Sequence, residues 1–158
     1  MEFTCDIFSK LDKQWALLTA GNEEKFNSMT VSWGGMGTIW GKPVVTVYVR
    51  PNRYTYEFTE AGEDFTLSFY GEEYKKALGV MGSKSGRDID KVAETGLTPV
   101  KAGASMSYAE AETTLVLKKL YAQDMDATQI PKDAWDKFFT NDPVHRMYIC
   151  EVVDMISK

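Results

Sequence analysis

The sequence predicts a mainly β protein, in which a mostly antiparallel barrel is decorated with short helices. Apolar and β-branched segments come first, short helical patterns are inserted between them, and strand-like segments return at the end. Helices do not alternate regularly with strands, which argues against a parallel doubly wound sheet. No repeat and no long Pro/Gly/Ser linker divides the 158 residues, so we predict one domain over residues 1–158.

The strand predictions rest on composition and alternation. The segment "PVVTVYVR" is β-branched and apolar on both faces, as in a strand buried on both sides. The segment "DFTLSFYG" alternates apolar with polar residues, which is typical of a half-buried strand. The polar turn "NEEK" joins the first two strands as a hairpin. We predict strands at residues 15–21, 26–33, 43–50, 64–71, 113–125 and 146–156.

The helix predictions rest on caps and stops. Residues 52–62 begin at Asn52, a good capping residue, and end at Gly62, where helices commonly stop. Residues 72–82 and 89–96 are also helical in pattern, and the polar loop "SKSGRD" separates them. A further short helix is predicted around "KDAWDKFF".

Composition excludes several classes of function. The net charge of −5 argues against a nucleic-acid-binding or membrane-surface protein. Only Cys5 and Cys150 occur, without a Cys-x-x-Cys pair, which excludes a zinc ribbon and a disulfide scaffold. The single histidine, His145, cannot anchor a multi-histidine metal site, and we expect it to have a hydrogen-bonding or surface role. No signal peptide and no membrane span is evident, so we expect a soluble, cytoplasmic protein.

The glycine-rich stretch between Gly34 and Gly41 is not a phosphate loop. A Walker loop would need a glycine where Met36 stands and a hydroxyl residue where Pro43 stands, and a helix should follow. The dinucleotide fingerprint also fails, because Trp40 occupies its third glycine position. We expect the glycines to form a close turn between two strands, with Trp33, Met36, Ile39 and Trp40 packing apolar surface.

A better candidate for an anion site is the segment "RPNRYT". It places Arg50 at the end of a strand and Arg53, Tyr54 and Thr55 in the first turn of a helix. Free backbone N–H groups and the positive end of the helix dipole favour an anion there, and a guanidinium can hold a phosphate with two hydrogen bonds. The alternative is a solvated helix start, with Arg53 paired to Glu57. The loop "SKSGRD" is rich in hydroxyls and cations, but by itself it is a surface loop.

Three segments together resemble one known family. "NSMTVSWG", "GKPVVTVYVRPNRYTYE" and "SKSGRDIDKVAETGLTP" are similar, in order and spacing, to the flavin reductase-like family of FMN-binding split barrels, especially its flavoredoxin-type members. The resemblance is clear over residues 10–100 and weaker in the final strand. It implies a split, Greek-key β-barrel with short decorating helices, FMN as the cofactor, and a homodimer with cofactor sites near the interface.

The resemblance also implies roles for residues. The strand would run beside the flavin ring, so that the backbone amides of Met29, Thr30, Val31 and Ser32 face the ring edge. The side chains of Asn27, Ser28, Thr30 and Ser32 would face the same edge, and Trp33 would lie against the ring or ribityl chain. The implied phosphate ligands are Arg53, Tyr54 and Thr55, with Arg50 as a further candidate. The closing loop would contribute Ser85 and Lys91, and its further candidates are Ser83, Lys84 and Arg87.

The function implied is electron transfer through bound FMN. The protein would be an NAD(P)H-dependent flavin reductase or a flavoredoxin-like carrier that accepts electrons from another redox protein. No residue is assigned as a catalytic acid, base or nucleophile, because a flavin accepts hydride directly. One alternative is a flavin store or sensor without turnover. Another is a split-barrel oxidase of a pyridoxine phosphate, which would need a second cationic pocket that the sequence does not show.

Overall fold

The computed structural model describes all 158 residues, and the fold is built on one curved antiparallel sheet. Seven strands follow the order β2-β1-β5-β8-β9-β4-β3, and a separate hairpin pairs β6 with β7. The strands are β1 Ala16–Gly21, β2 Phe26–Val31, β3 Gly34–Ile39, β4 Lys42–Val49, β5 Asp64–Phe69, β6 Pro99–Ala102, β7 Ser105–Tyr108, β8 Thr113–Asp124 and β9 Arg146–Ser157.

Five short helices decorate the sheet. Helix α1 continues as a π-helical turn, Lys10–Gln14, and α3 is preceded by a 3₁₀ turn, Glu72–Tyr74. Another 3₁₀ turn, Ala127–Gln129, precedes α5. The helices are α1 Ile7–Ser9, α2 Tyr54–Ala61, α3 Lys75–Ser83, α4 Lys91–Thr95 and α5 Lys132–Phe138. None of them is long and apolar enough to cross a membrane.

The sheet must curl on itself because its two edge strands are neighbours in the chain. Strands β2 and β3 lie at opposite ends of the strand order, yet only Ser32 and Trp33 separate them. Such a short connection spans at most roughly 10 Å, so the two edges approach each other. The result is the mainly β, antiparallel split barrel with short helices that the sequence predicts.

Two apolar clusters stabilise this arrangement. The larger one fills the barrel and includes Phe65, Leu117 and Tyr148, each fully buried. The smaller one lies outside the barrel, where α3 and the β6–β7 hairpin cover β1, and includes Leu17 and Met81. This outer cluster corrects one prediction: β5 is buried on both faces rather than half-buried, because the hairpin covers its outer side, and the hydroxyl of Thr66 donates to the Met106 carbonyl at 2.6 Å.

The glycine-rich stretch is a strand, not the close turn predicted. Residues 34–39 form edge strand β3, which pairs along its whole length with β4. The turn itself is Trp40–Gly41, where both residues have positive φ, 53° and 69°, as tight hairpin turns require. Glycine has a low strand propensity, so the sequence pattern of residues 34–39 does not indicate a strand. Pairing with β4 stabilises the strand in the folded chain. The expected apolar packing also fails in part, because Trp40 is 62% exposed.

Other differences are smaller. Helix α2 begins at Tyr54 with Arg53 at its N-cap position, not Asn52, and no side chain caps it. The Arg53–Glu57 pair, the alternative to an anion site, does not form, and Glu57 pairs with Arg87. The short N-terminal helices and the β6–β7 hairpin were not predicted, since none shows a long periodic pattern.

Candidate functional site

The open edge of β2 is the backbone feature on which the site is built. Strand β2 pairs only with β1, so its other edge has no strand partner. The Asn22 N–H donates to the Lys25 carbonyl, which makes these two residues a hydrogen-bonded pair of the β1–β2 hairpin. Hydrogen-bonded and non-hydrogen-bonded pairs then alternate along the two strands. It follows that residues 27, 29 and 31 bond to β1, whereas the backbone N–H and C=O groups of Ser28 and Thr30 face outward.

Lys91 lies against this edge. Asp90 caps α4 by accepting from the N–H groups of Val92 and Ala93, which fixes the first turn of the helix. The Lys91 ammonium then donates to the carbonyls of Ser28 and Met81, both at 2.8 Å. Lys91 is only 6% exposed, and burial together with the charge of Arg53 lowers its pKa to about 8. No carboxylate neutralises it.

A second contact joins β2 to the start of α2. The side-chain amide of Asn27 donates to the Thr55 hydroxyl at 2.8 Å, and both side chains are buried. Thr55 stands in the first turn of α2, so the contact brings the free N–H groups of that turn beside the β2 edge. Tyr54 packs edge-on against Phe58, with ring centres 5.1 Å apart.

Arg53 is the second unneutralised cation of the site. Its guanidinium takes part in no hydrogen bond and no ion pair, although its pKa is lowered, first by burial and then by the charge of Arg50. It precedes the N-terminus of α2, where the helix dipole is positive. Two cations that pair with no acid therefore lie near a helix N-terminus, which is an arrangement that favours an anion, although Glu24, Asp88 and Asp90 line the cavity that contains Lys91.

The loop between α3 and α4 closes over the start of α2. The Arg87 guanidinium donates to Glu57 at 3.1 Å and to the Asn52 carbonyl at 3.3 Å, and lies 5.0 Å from the centre of the Tyr54 ring. The Ser85 hydroxyl accepts from the Arg87 N–H at 3.2 Å, which shapes the loop. The Ser83 hydroxyl donates to Gly79 within α3, so Ser83 does not reach the cations.

Several predicted side chains are engaged in the interior instead of facing the open edge. The Ser28 hydroxyl bonds to Thr19 at 2.7 Å and to Tyr108 at 2.8 Å, and the Thr30 hydroxyl donates to the Leu78 carbonyl. The side chains of Met29 and Val31 belong to the barrel core. The ring-edge role predicted for the Ser28 and Thr30 side chains is therefore wrong, because strand alternation points them to the sheet face that α3 and the β6–β7 hairpin cover; only their backbone groups face the open edge. The backbone groups of Met29 and Val31 bond to β1, so they do not face the ring edge as predicted.

Arg50 is also committed elsewhere. Its guanidinium donates to the Pro143 carbonyl at 2.7 Å and to the Phe138 carbonyl at 3.1 Å, and stacks 5.0 Å from the centre of the Phe139 ring. It therefore holds the end of α5 and the following loop against β4. The weak assignment of Arg50 to the phosphate does not fit these contacts.

Two cavities follow the open edge of β2. The first, of about 170 Å³, is lined by residues 29–33 together with Tyr48, Arg50, Arg53 and His145. The second, of about 650 Å³, begins at Asn27 and Ser28 and continues past Tyr54 to Lys91. Trp33 stands at the end of the edge, 40% exposed, with its ring 4.8 Å from Phe138 and 5.4 Å from His145. Ser32 lines the first cavity and is half-buried.

The structure thus brings together Asn27, the β2 backbone, Arg53, Thr55 and Lys91, and it leaves Ser83 aside. Arg50 lines the first cavity, but its guanidinium is bonded to the Phe138 and Pro143 carbonyls. Sequence reasoning missed Tyr108 and Tyr48, which line the two cavities. Tyr108 belongs to the unpredicted hairpin, and Tyr48 lies within a strand whose apolar pattern gives no sign of a site. His145 is 8% exposed and makes no side-chain hydrogen bond within the chain, but its ring nitrogens are not fully buried, so the expected surface or hydrogen-bonding role stays a prediction.

Comparison with known proteins identifies the family of the chain. Residues 8–157 match the family model described as the flavin reductase like domain. The chain belongs to the flavin reductase-like family. A flavin cofactor and a flavin-linked redox function are what this membership supports.

Individual relatives of this family member are distant. The chain is 32% identical over 103 residues to the high molecular weight rubredoxin of Moorella thermoacetica, a match that covers 60% of this chain and 44% of that protein. The chain therefore spans less than half the length of that curated relative. Among solved structures, the flavoredoxin of Methanosarcina acetivorans superposes with a TM-score of 0.73 at 18% identity, covering 92% of this chain and 68% of that one. The flavoredoxin of Desulfovibrio vulgaris (Miyazaki F) gives 0.71 at 22% identity, covering 91% and 69%. These superpositions establish the split-barrel fold.

Proposed function

We propose that the chain binds FMN and transfers electrons through it. The observation that carries the proposal is the pair of cations, Arg53 and Lys91, that no acid neutralises beside the N-terminus of α2. A phosphate monoester carries nearly two negative charges at neutral pH and accepts several hydrogen bonds. The guanidinium of Arg53, the hydroxyl of Thr55 and the free N–H groups of the first turn of α2 would hold it.

The ring would lie along the open edge of β2. The outward N–H groups of Ser28 and Thr30 are donors for the oxygen and nitrogen atoms of a flavin ring edge, and the adjoining Ser32 and Trp33 continue that surface. Trp33 offers a flat apolar face. Lys91, fixed by two carbonyls, adds positive charge behind the edge, which favours an anionic reduced ring. Bound flavin itself supplies reversible one- or two-electron transfer.

The electron donor in this proposal is NAD(P)H or another redox protein. The chain offers no built site for a tightly held nicotinamide dinucleotide, since the glycine stretch is a strand. A transient encounter at the exposed end of the ring site, beside Trp33, suits either donor. In both cases the residues of the chain position the cofactor and do not react themselves.

The proposal includes a homodimer. Large apolar side chains remain exposed on the monomer: Trp40 at 62%, Val153 at 50% and Ile156 at 47%. Covering such side chains would stabilise an assembly by about 25 cal/mol per Å² of apolar area. Analytical ultracentrifugation across protein concentrations tests it, and a monomer at every concentration would overturn this part of the proposal.

One anaerobic experiment tests the central proposal. Purified chain is titrated with FMN and, separately, with FAD, followed by NADH or NADPH, while the visible flavin band is recorded. We expect tight FMN binding and bleaching by one of the two nucleotides. Arg146→Ala is the matched control for Arg53→Ala, because Arg146 is paired with acids at the other end of α2.

The outcomes separate the alternatives. Failure to bind FMN would overturn the proposal, and preference for FAD would correct the cofactor. Binding without bleaching by either nucleotide would remove the reductase and leave the carrier. If a reduced ferredoxin-type protein also failed to reduce the bound flavin, the chain would be a store or sensor.

A further inference from the structure

The loop between α3 and α4 lies across the proposed phosphate site. It comprises residues 84–90, which we call the strap, and residues 86–90 line the 650 Å³ cavity. Both ends of the strap are fixed, because the Lys84 N–H donates to the Val80 carbonyl at 3.0 Å and Asp90 caps α4. The strap therefore covers one side of the start of α2. What it does to a ligand there rests on the phosphate placement proposed above.

Gly86 brings the strap into direct contact with two residues of the site. A Cβ atom at this position would overlap the side-chain oxygen of Asn27 and would lie 2.9 Å from the Tyr54 ring. Asn27 is not free to move away, because its amide group donates to the buried Thr55 hydroxyl. A side chain at position 86 is therefore incompatible with the closed position of the strap.

Arg87 holds the strap in this position by three contacts with the start of α2. Its guanidinium donates to Glu57 at 3.1 Å and to the Asn52 carbonyl at 3.3 Å, and it lies 5.0 Å from the centre of the Tyr54 ring. An exposed ion pair alone is weak, but here the same guanidinium also bonds to the backbone and stacks on a ring. These contacts extend from the residue before Arg53 to the first turn of the helix.

The charges around the strap suit one phosphate and not two. Arg53 and Lys91 pair with no acid, whereas the charge of Arg87 is compensated by Glu57. Lys25 is the remaining cation of the cavity lining. The acids of the same lining are Glu24, Asp88 and Asp90. A second phosphate in this cavity would therefore meet three carboxylates and no unpaired guanidinium.

We propose that Glu57 makes the site selective for a flavin that ends in one phosphate, FMN, over the dinucleotide FAD. By pairing with Arg87, Glu57 keeps the strap closed across the start of α2 and withholds this guanidinium from a second phosphate. Glu57 is thus a positioning residue that acts through Arg87, and its effect falls on FAD.

The test compares the affinities of the full chain for FMN and for FAD by titration calorimetry. We expect the wild-type chain to bind FMN more tightly. Glu57→Gln keeps the shape of the side chain and removes its charge, so it should strengthen FAD relative to FMN by about fivefold, the upper value of one exposed ion pair. Glu60→Gln is the matched control, because it removes an acid that pairs with Arg146 at the other end of α2 and should leave the ratio unchanged.

Two further measurements assign the effect to Arg87 and to the strap. In the double variant Glu57→Gln with Arg87→Gln, the gain for FAD should disappear, because it needs the released guanidinium. Trypsin supplies a readout without flavin, since it cleaves after lysine and Lys84 lies in the strap. In the flavin-free chain, cleavage after Lys84, followed by mass spectrometry, should be faster in Glu57→Gln than in the wild type or in Glu60→Gln.

The inference is overturned if Glu57→Gln leaves the affinity ratio at its wild-type value or changes it no more than Glu60→Gln does. A full gain for FAD in the double variant, or cleavage after Lys84 at the wild-type rate in Glu57→Gln, would also overturn it. Tight FMN binding with an unchanged ratio refutes this inference alone. A wild-type chain that binds neither flavin refutes the proposed function and this inference with it, and a wild-type preference for FAD refutes the choice of FMN in both.

Discussion

Arg53 and Arg146 lie at opposite ends of helix α2, but only Arg146, at its C-terminal end, is paired with acids. At its C-terminal end, Arg146 pairs with Glu60 at 3.2 Å and with Asp124 at 3.0 Å, and the Tyr148 hydroxyl donates to Glu60 at 2.7 Å. At its N-terminal end, Arg53 and Lys91 have no acid partner.

This difference agrees with a stabilising role for the C-terminal end and with the proposed phosphate site at the N-terminal end. Partly or fully desolvated cations without an acid partner raise the free energy of the folded chain, and an external anion would compensate them. At the C-terminal end, the charge of Arg146 is already compensated by Glu60 and Asp124 within the chain. Substitutions at each end of α2 test whether the two ends differ in this way.

The largest effect is expected at the N-terminal end. Arg53→Ala should weaken FMN affinity by about 1–3 kcal/mol, because charge-assisted contacts to the phosphate are lost. The cofactor-free variant should unfold at the same or a higher denaturant concentration, since an uncompensated cation is removed. Flavin fluorescence titration and urea unfolding measure the two quantities. Unchanged affinity would show that the phosphate lies elsewhere.

A pH effect of intermediate size is expected from Lys91. Its pKa in the free protein is lowered to about 8, so the folded state loses stability as pH falls from the ordinary value of 10.5 towards 8. A bound anion raises that pKa, and binding above pH 8 therefore takes up a proton. FMN affinity should fall as pH rises above about 8, by at most about 1.4 kcal/mol per unit.

Fluorescence titrations between about pH 7 and 9.5 measure this slope, with Lys91→Arg as the control. The arginine does not titrate in that range, so its affinity should stay flat. A slope of equal size in the control would assign the titration to another group.

The smallest effect is expected at the C-terminal end. Tyr148→Phe removes the hydroxyl that accepts from Thr59 at 2.9 Å and donates to Glu60, in a side chain that is fully buried. We expect a loss of about 1 kcal/mol in the free energy of unfolding and no change in FMN affinity. Chemical denaturation with matched FMN titrations checks both, and reduced FMN affinity would mean that the two ends of α2 are coupled.

Much of the fold and part of the site could be predicted from local patterns. The strand "PVVTVYVR" was recognised because β-branched residues dominate it, and α4 ends at Gly96, which adopts the left-handed conformation that such a stop needs. Strand β3 was missed because its glycines carry no apolar periodicity, and the β6–β7 hairpin because each strand has only four residues.

At the site, the candidates divide according to what their side chains contact. Arg53 is predicted from its position at a helix start and Lys91 from the resemblance to the family, and the structure leaves both without acid partners. Arg50 could not be separated from Arg53 in the same way, because its partners at Phe138 and Pro143 lie about ninety residues away in the chain, at separations of 88 and 93 residues. The bonding of Ser28 to Tyr108, 80 residues further on, was hidden for the same reason.

Short-range alternation, β-branching and turn chemistry predict the antiparallel class and the cationic start of α2, whereas the place of the site beside β2 is implied by the resemblance to the family. Contacts in the folded chain set which edge of β2 stays open, which cations lack acid partners and which rings surround His145. Those properties depend on partners distant in the chain, and local patterns carry no information about such partners.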